Sequence, residues 1–121
     1  MAKKNLILRY GFCTVCGPVE DLTVSESKTM FTITWDNSIQ SFTKYRFKLI
    51  HIKSDSEEEI IREENTTLKY ITLLKSYLYS GQYRFEIYRI CGNQESSLVY
   101  TTFDVNKIFL EQRLINWYDY E

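Results

Sequence analysis

Three runs, Phe31-Thr32-Ile33-Thr34-Trp35, Tyr45-Arg46-Phe47-Lys48-Leu49 and Tyr83-Arg84-Phe85-Glu86-Ile87-Tyr88, decide the fold. Large apolar residues occupy every second position in each. A strand turns successive side chains to opposite faces, so each run presents one apolar and one mostly polar face. Three strands with one apolar face each must be buried, and in an all-strand chain the cover is a second sheet.

Working outward, turn-forming residues divide the chain into seven strands: A over residues 19–24, B over 29–35, C over 43–52, a short charged edge strand within 53–64, E over 66–74, F over 81–91 and G over 97–105. Pro18 opens strand A, where its missing N–H costs least. The 53–64 tract carries six carboxylates, Asp55, Glu57, Glu58, Glu59, Glu63 and Glu64, around Ile60-Ile61. It reads as a hairpin turn and a solvated acidic edge that discourages sheet-to-sheet association. It lacks the spacing and glycine of a calcium loop. Residues 1–17 form an extended N-terminal arm. In residues 106–121 the period changes: Leu110, Leu114 and Trp117 fall at helical spacing, so a short amphipathic helix is predicted, packing on the domain or on a partner.

At 121 residues the chain makes one domain, long enough to remove roughly two thirds of its unfolded surface from water. Fifteen basic and sixteen acidic side chains give a net charge of -1, which argues against nucleic-acid or anionic-membrane binding by bulk electrostatics. No apolar stretch approaches the ~20 residues of a membrane span. Met1-Ala2-Lys3-Lys4 resembles a basic signal start, but Arg9 interrupts the apolar run behind it. The chain therefore reads either as intracellular or as a domain of a longer exported protein.

The order and spacing of these strands resemble the fibronectin type III family over about residues 18–105. Pro18-Val19-Glu20-Asp21-Leu22-Thr23-Val24 leads in, Trp35 ends strand B, and Tyr83 stands at the start of strand F in the place of the family's corner tyrosine. Strands C and F support the match. The resemblance implies a seven-stranded antiparallel β-sandwich in which nine residues interleave between the sheets: Phe31, Ile33, Trp35, Tyr45, Phe47, Leu49, Tyr83, Phe85 and Ile87. Tyr83 would turn its hydroxyl back to the backbone at the E–F corner. The single proline and a longer connection before Tyr83 depart from the family pattern.

The same topology brings the start of strand A and the end of strand F to one pole, so Cys13 or Cys16 could approach Cys91 and form a disulfide worth about 2–4 kcal/mol. Three reduced thiols are the equal alternative, because the count is odd and no export signal is evident. Cys13-x-x-Cys16 has zinc-ribbon spacing, but only Cys91 and His51 remain as further ligands and His51 belongs to the opposite pole, so no metal site is expected. The chain has one histidine, no nucleophile elbow and no phosphate-cradling loop, so neither catalysis nor a cofactor is expected. Asn65-Thr66-Thr67 is an N-glycosylation acceptor in the loop entering strand E.

Two surfaces suit a partner. Strands C and F are neighbours in this topology, so Arg46, Lys48, Ile50, Arg84, Glu86, Tyr88 and Ile90 share an outward face. The other surface is the pole formed by residues 36–41, 63–66 and 92–96, where the family often places recognition loops; it holds no Arg-Gly-Asp tripeptide. The reading is a non-enzymatic protein-interaction module, an extracellular receptor or adhesion-protein domain, with Arg46, Lys48, Arg84 and Tyr88 as partner-binding residues and Trp117 as a further one in the tail. The alternative is an intracellular scaffold or regulatory domain that docks through its C-terminal helical tail, where Tyr118 and Tyr120 are candidates for phosphorylation.

Overall fold

The computed structural model describes residues 16–39 and 43–106. Alternation of apolar and polar residues there resolves into two antiparallel sheets. β1 (Thr23–Glu26), β2 (Met30–Thr34) and β5 (Tyr70–Leu74) form a three-stranded sheet with β2 in the centre. The other sheet runs β4 (Glu57–Thr66), β3 (Lys44–Ser54), β6 (Gly81–Cys91), and beyond β6 lie β7 (Gln94–Glu95) and β8 (Val99–Val105). Among the described residues the only helical element is the three-residue 3₁₀ turn Lys75–Tyr77.

The parity read from the sequence is the parity of the core. All nine residues assigned to the interior are no more than 3 % exposed. Register explains the packing: Phe47 pairs with Ile87 and Leu49 with Phe85 across β3 and β6, while Phe31 pairs with Leu73 and Ile33 with Ile71 across β2 and β5. Trp35 stacks on Phe85 at 5.7 Å and meets Tyr45 edge-on at 5.7 Å, which ties the two sheets together through aromatic contacts. Tyr83 stands at the corner, its hydroxyl donating to the Tyr79 carbonyl at 3.0 Å and accepting from the Tyr79 N–H at 2.9 Å. This pair of bonds ties the corner at Tyr79 to the start of β6.

Several expectations are corrected. There are eight strands among the described residues instead of seven, because the predicted loop 92–96 contains β7: Gly92, at φ +61°, closes a tight turn that lets Gln94 and Glu95 pair with Cys91 and Ile90. Strand A of the sequence reading, here β1, starts at Thr23 and not at residue 19. Asp21 adopts φ +58°, and the Glu20 N–H and carbonyl are both engaged by Asp36, so neither can join a sheet ladder. The acidic tract forms a full ten-residue edge strand, β4, because cations on β4 itself, on β3 and on β6 neutralise its carboxylates: Lys53 pairs with Glu59, Arg84 with Glu58, Arg46 with Glu63, and Arg62 with Glu64. Residues 63–66 and Asn65 with them therefore lie in β4, not in a loop. Most of the N-terminal arm, the predicted C-terminal helix and Trp117, Tyr118 and Tyr120 lie outside the described residues.

Candidate functional site

The outer face of the larger sheet is built by the parity opposite to the core. On β3, Arg46, Lys48 and Ile50 alternate with Tyr45, Phe47 and Leu49; on β6, Arg84, Glu86 and Tyr88 alternate with Tyr83, Phe85 and Ile87. Register sets Arg46 beside Tyr88, Lys48 beside Glu86 and Ile50 beside Arg84, then continues to β8 with Glu86 beside Tyr100 and Arg84 beside Thr102. Four of the sequence-derived partner-binding residues, Arg46, Lys48, Arg84 and Tyr88, thus share one face. Trp117, the fifth, lies outside the described residues.

The cations on this face differ in availability. Arg84 is held by a fork of hydrogen bonds to Glu58 at 2.8 and 3.1 Å and by a third to Glu86 at 2.7 Å. The hydrogen bonds with Glu58 and Glu86 raise its pKa, and those from Arg84 lower that of Glu58, so the Arg84–Glu58 pair stays ionised. Arg46 donates to Glu63 at 2.9 Å and to Asn65 Oδ1 at 2.7 Å. Lys48 forms no salt bridge among the described residues, although Glu63 and Glu86 flank it in the register. Ile50, expected on the open face, is 5 % exposed because it sits between Ile60 and Arg84 where β3 and β4 shift register. A shallow depression of about 210 Å³ remains around Lys48, bounded by Arg46, Tyr88 and Leu98. Leu98 stays 51 % exposed in its lining, and Tyr100, the register partner of Glu86 on β8, is 63 % exposed.

The pole at the other end of β6 carries a polar cluster that the sequence reading treated only as a turn. Asp36 has no exposed surface. Its carboxylate accepts from Arg89 Nε at 3.0 Å and Nη2 at 2.8 Å, from the Tyr45 hydroxyl at 2.6 Å and from the Glu20 N–H at 2.8 Å. Burial by itself would raise the Asp36 pKa; the hydrogen bonds from Arg89, Tyr45 and Glu20 outweigh it and hold the carboxyl below its ordinary value. Burial, then the bond to Asp36, raises the Tyr45 pKa, and Asp36 raises that of Arg89. Arg89 also donates to the Gly17 carbonyl at 3.0 Å. This pole, expected to offer recognition loops, is braced by the buried pair; residues 40–42 within it lie outside the described residues.

Beside Arg89, Cys16 and Cys91 form a disulfide with their Cα atoms 5.8 Å apart and 75 residues between them in sequence. That settles which of the two N-terminal cysteines reaches Cys91. Cys13 lies outside the described residues. His51 occupies the opposite pole, stacked on Tyr83 at 4.6 Å and on Tyr79 at 6.1 Å. It is 8 % exposed, and its Nδ1 is buried without a hydrogen-bond partner among the described residues. Among the same residues no group of three or more His, Cys, Asp and Glu side chains is placed to hold a metal. Asn65 is exposed near the end of β4.

Comparison with known proteins agrees with this architecture. No protein-family model matches the chain, and no curated protein matches it in sequence. Solved structures do match in fold. Domains d3–d4 of the rat CD45 extracellular region align with a TM-score of 0.56 at 15 % identity, over 74 % of this chain and 49 % of that one, so this chain spans about half of that two-domain chain. The fn3 domain of the human collagen alpha-1(XX) chain aligns with a TM-score of 0.54 at 16 % identity, over 73 % and 83 % of the two chains. A fourth FNIII domain of a human protein gives 0.54 at 18 % identity, over 74 % and 78 %. The chain has the fibronectin type III fold.

Proposed function

We propose that this domain is a non-enzymatic protein-interaction module of an extracellular receptor or adhesion protein, and that it captures a protein partner with the outer face of β3, β6 and β8. One observation carries the reading. Lys48, without an ion pair among the described residues, sits in a shallow depression beside Tyr88 and Leu98, inside a frame of cations already neutralised by Glu58, Glu63 and Glu86. An aromatic and aliphatic centre with one available charge and a satisfied polar rim is the anatomy of a binding patch. Arg46 and Arg84 act there as stiff borders, because both are anchored in β-sheet and ion-paired. Little side-chain entropy is lost when a partner docks on them.

The fold supports an interaction role, since such sandwiches serve chiefly to present surfaces. The Cys16–Cys91 bridge and the exposed Asn65-Thr66-Thr67 acceptor favour an oxidising, extracellular setting over the cytoplasmic one. The CD45 fragment is itself from an extracellular region.

The test is capture of a partner from the surface of cells of the natural source, measured with purified domain and its variants. Lys48→Glu and Tyr88→Ala should each weaken capture by about 10-fold to 100-fold, the range of interface hot spots, with unchanged thermal unfolding. Capture that survives both substitutions but is lost on removal of residues 107–121 would assign binding to the tail instead of the sheet face. Glycan occupancy at Asn65 in material from the same source tests the location.

A further inference from the structure

The edge of a sheet is a row of unpaired backbone groups that can template another strand. Among the described residues, free edges belong to β1 and β5 in the smaller sheet and, in the larger, to β4 on one side and to β8, preceded by the two-residue β7, on the other. Three of these strands are guarded. β1 is four residues long and ends in Glu26, and β5 is five residues long and bracketed by Lys69 and Lys75. β4 is longer, but it is acidic and its register with β3 shifts between Leu49 and Ile50. Short length, charge and a break in register each discourage a second sheet from pairing there. β8 has none of these devices. Its seven residues pair with β6 without a shift, and the run from Ser96 to Phe103 contains neither a charged residue nor a proline. Val99, Tyr100, Thr101, Thr102 and Phe103 are all residue types that favour strands.

The sequence of this edge indicates what fits it. Two copies related by a two-fold axis perpendicular to the sheet pair antiparallel with opposed residues on the same face, so the axis runs between one residue and its own symmetry mate. With Thr101 on the axis, Tyr100 meets Thr102 of the second copy on the outer side and Val99 meets Phe103 of the second copy on the inner side. Aromatic residues opposite β-branched ones are favourable cross-strand pairs. Asp104 falls opposite Leu98, so no charge meets its own sign. Because Tyr100 lies beside Glu86 and Thr102 beside Arg84, the new outer pair is flanked by a carboxylate from one copy and a guanidinium from the other. An axis on Thr102 would instead set Asp104 against Tyr100. We propose that the β8 edge is a self-association site, where a second copy of this chain adds its own β8 antiparallel about Thr101 and joins the two larger sheets into one. The axis keeps both outer faces on the same side, so the two Lys48 depressions point the same way. The site is the strand edge, and it stands independently of the function proposed for the face.

Sedimentation of the full chain from micromolar to near-millimolar concentration reads the association, which is weak because one short ladder buries less than a standard interface. A reversible dimer is the expected result. Tyr100→Lys with Thr102→Lys opposes like charges in both symmetry-related pairs and should weaken dimerisation by about 10-fold or more. Tyr100→Lys with Thr102→Glu opposes unlike charges in the same register and should return it to within about 3-fold of the native value. Both positions are exposed, and thermal unfolding identifies a variant that is not folded. Ile60→Lys, on the β4 edge, should leave dimerisation unchanged. A chain that is monomeric at every concentration overturns the inference and leaves the edge to a strand of another protein. A dimer that both β8 variants leave intact, or that Ile60→Lys abolishes, overturns it by moving the interface elsewhere. Equal loss in the two β8 variants overturns the pairing about Thr101.

Discussion

Replacing Asp36 by asparagine isolates the charge of the buried pair. Asp36 has φ +50°, a backbone conformation that asparagine tolerates and alanine does not, so Asp36→Asn changes the chemistry without adding strain. The carboxylate now accepts four hydrogen bonds, two from Arg89, one from Tyr45 and one from Glu20. Bonds to a charged acceptor are worth about 1.5–3 kcal/mol against about 0.5–1.5 for neutral ones, so the two guanidinium bonds lose about 1 kcal/mol each. The amide NH₂ must then face a donor, which raises the loss to about 2–3 kcal/mol. Full removal of the acceptor would reach the ~3–5 kcal/mol of a broken buried pair, softened by the 13 % exposure of the Arg89 side chain. Urea denaturation of the full chain at pH 7 measures this. In a double-mutant cycle with Arg89→Met the coupling should be about 2 kcal/mol or more, because each single substitution strands the other partner. The sign with pH follows from the lowered Asp36 pKa. The stabilisation is complete above the ordinary value of 3.8 and disappears as the pH falls through the lower folded value, so the gap between wild type and Asp36→Asn narrows in that window. A loss below 1 kcal/mol, or additive single substitutions, would refute the view that this pair braces the pole.

Thiol titration of the denatured, non-reduced protein should find one free thiol per chain, that of Cys13, and Cys91→Ser should lower stability by about 2–4 kcal/mol, as expected for a bridge closing a 75-residue separation; three thiols would remove the bridge from the account. Gly81→Ala should cost about 2–3 kcal/mol in urea denaturation, since φ +136° strains any L side chain and the added Cβ would lie 2.8 Å from His51 Nε2; a neutral effect would mean that His51 moves freely.

The interior was legible because its signal is local. Phe31, Ile33 and Trp35 share a face by the two-residue period of a strand whichever strands lie beside them, and the same holds for Tyr45 to Leu49 and Tyr83 to Ile87. One further signal was present and unused. Arg89 continues the parity of Tyr83, Phe85 and Ile87, so a strand of eleven residues carries a cation on its buried side, and a cation there requires a buried anion. Parity alone does not name that anion: Asp36 directly follows Trp35 on the opposite parity, beyond the end of β2, and is buried with φ +50°, off the strand alternation. On the outer face, period alone placed Arg46, Lys48, Arg84 and Tyr88 together but could not distinguish the paired cations from Lys48.

By itself, then, the sequence determined which residues build the sandwich, because burial follows from spacing within a strand. Only the tertiary structure decided which groups meet across it. Asp36 and Arg89 stand 53 residues apart, Cys16 and Cys91 75, and Arg84 and Glu58 26. Each meeting depends on strand order and register, which arise from packing the whole chain, and a one-residue slip in a strand turns its side chains to the other face.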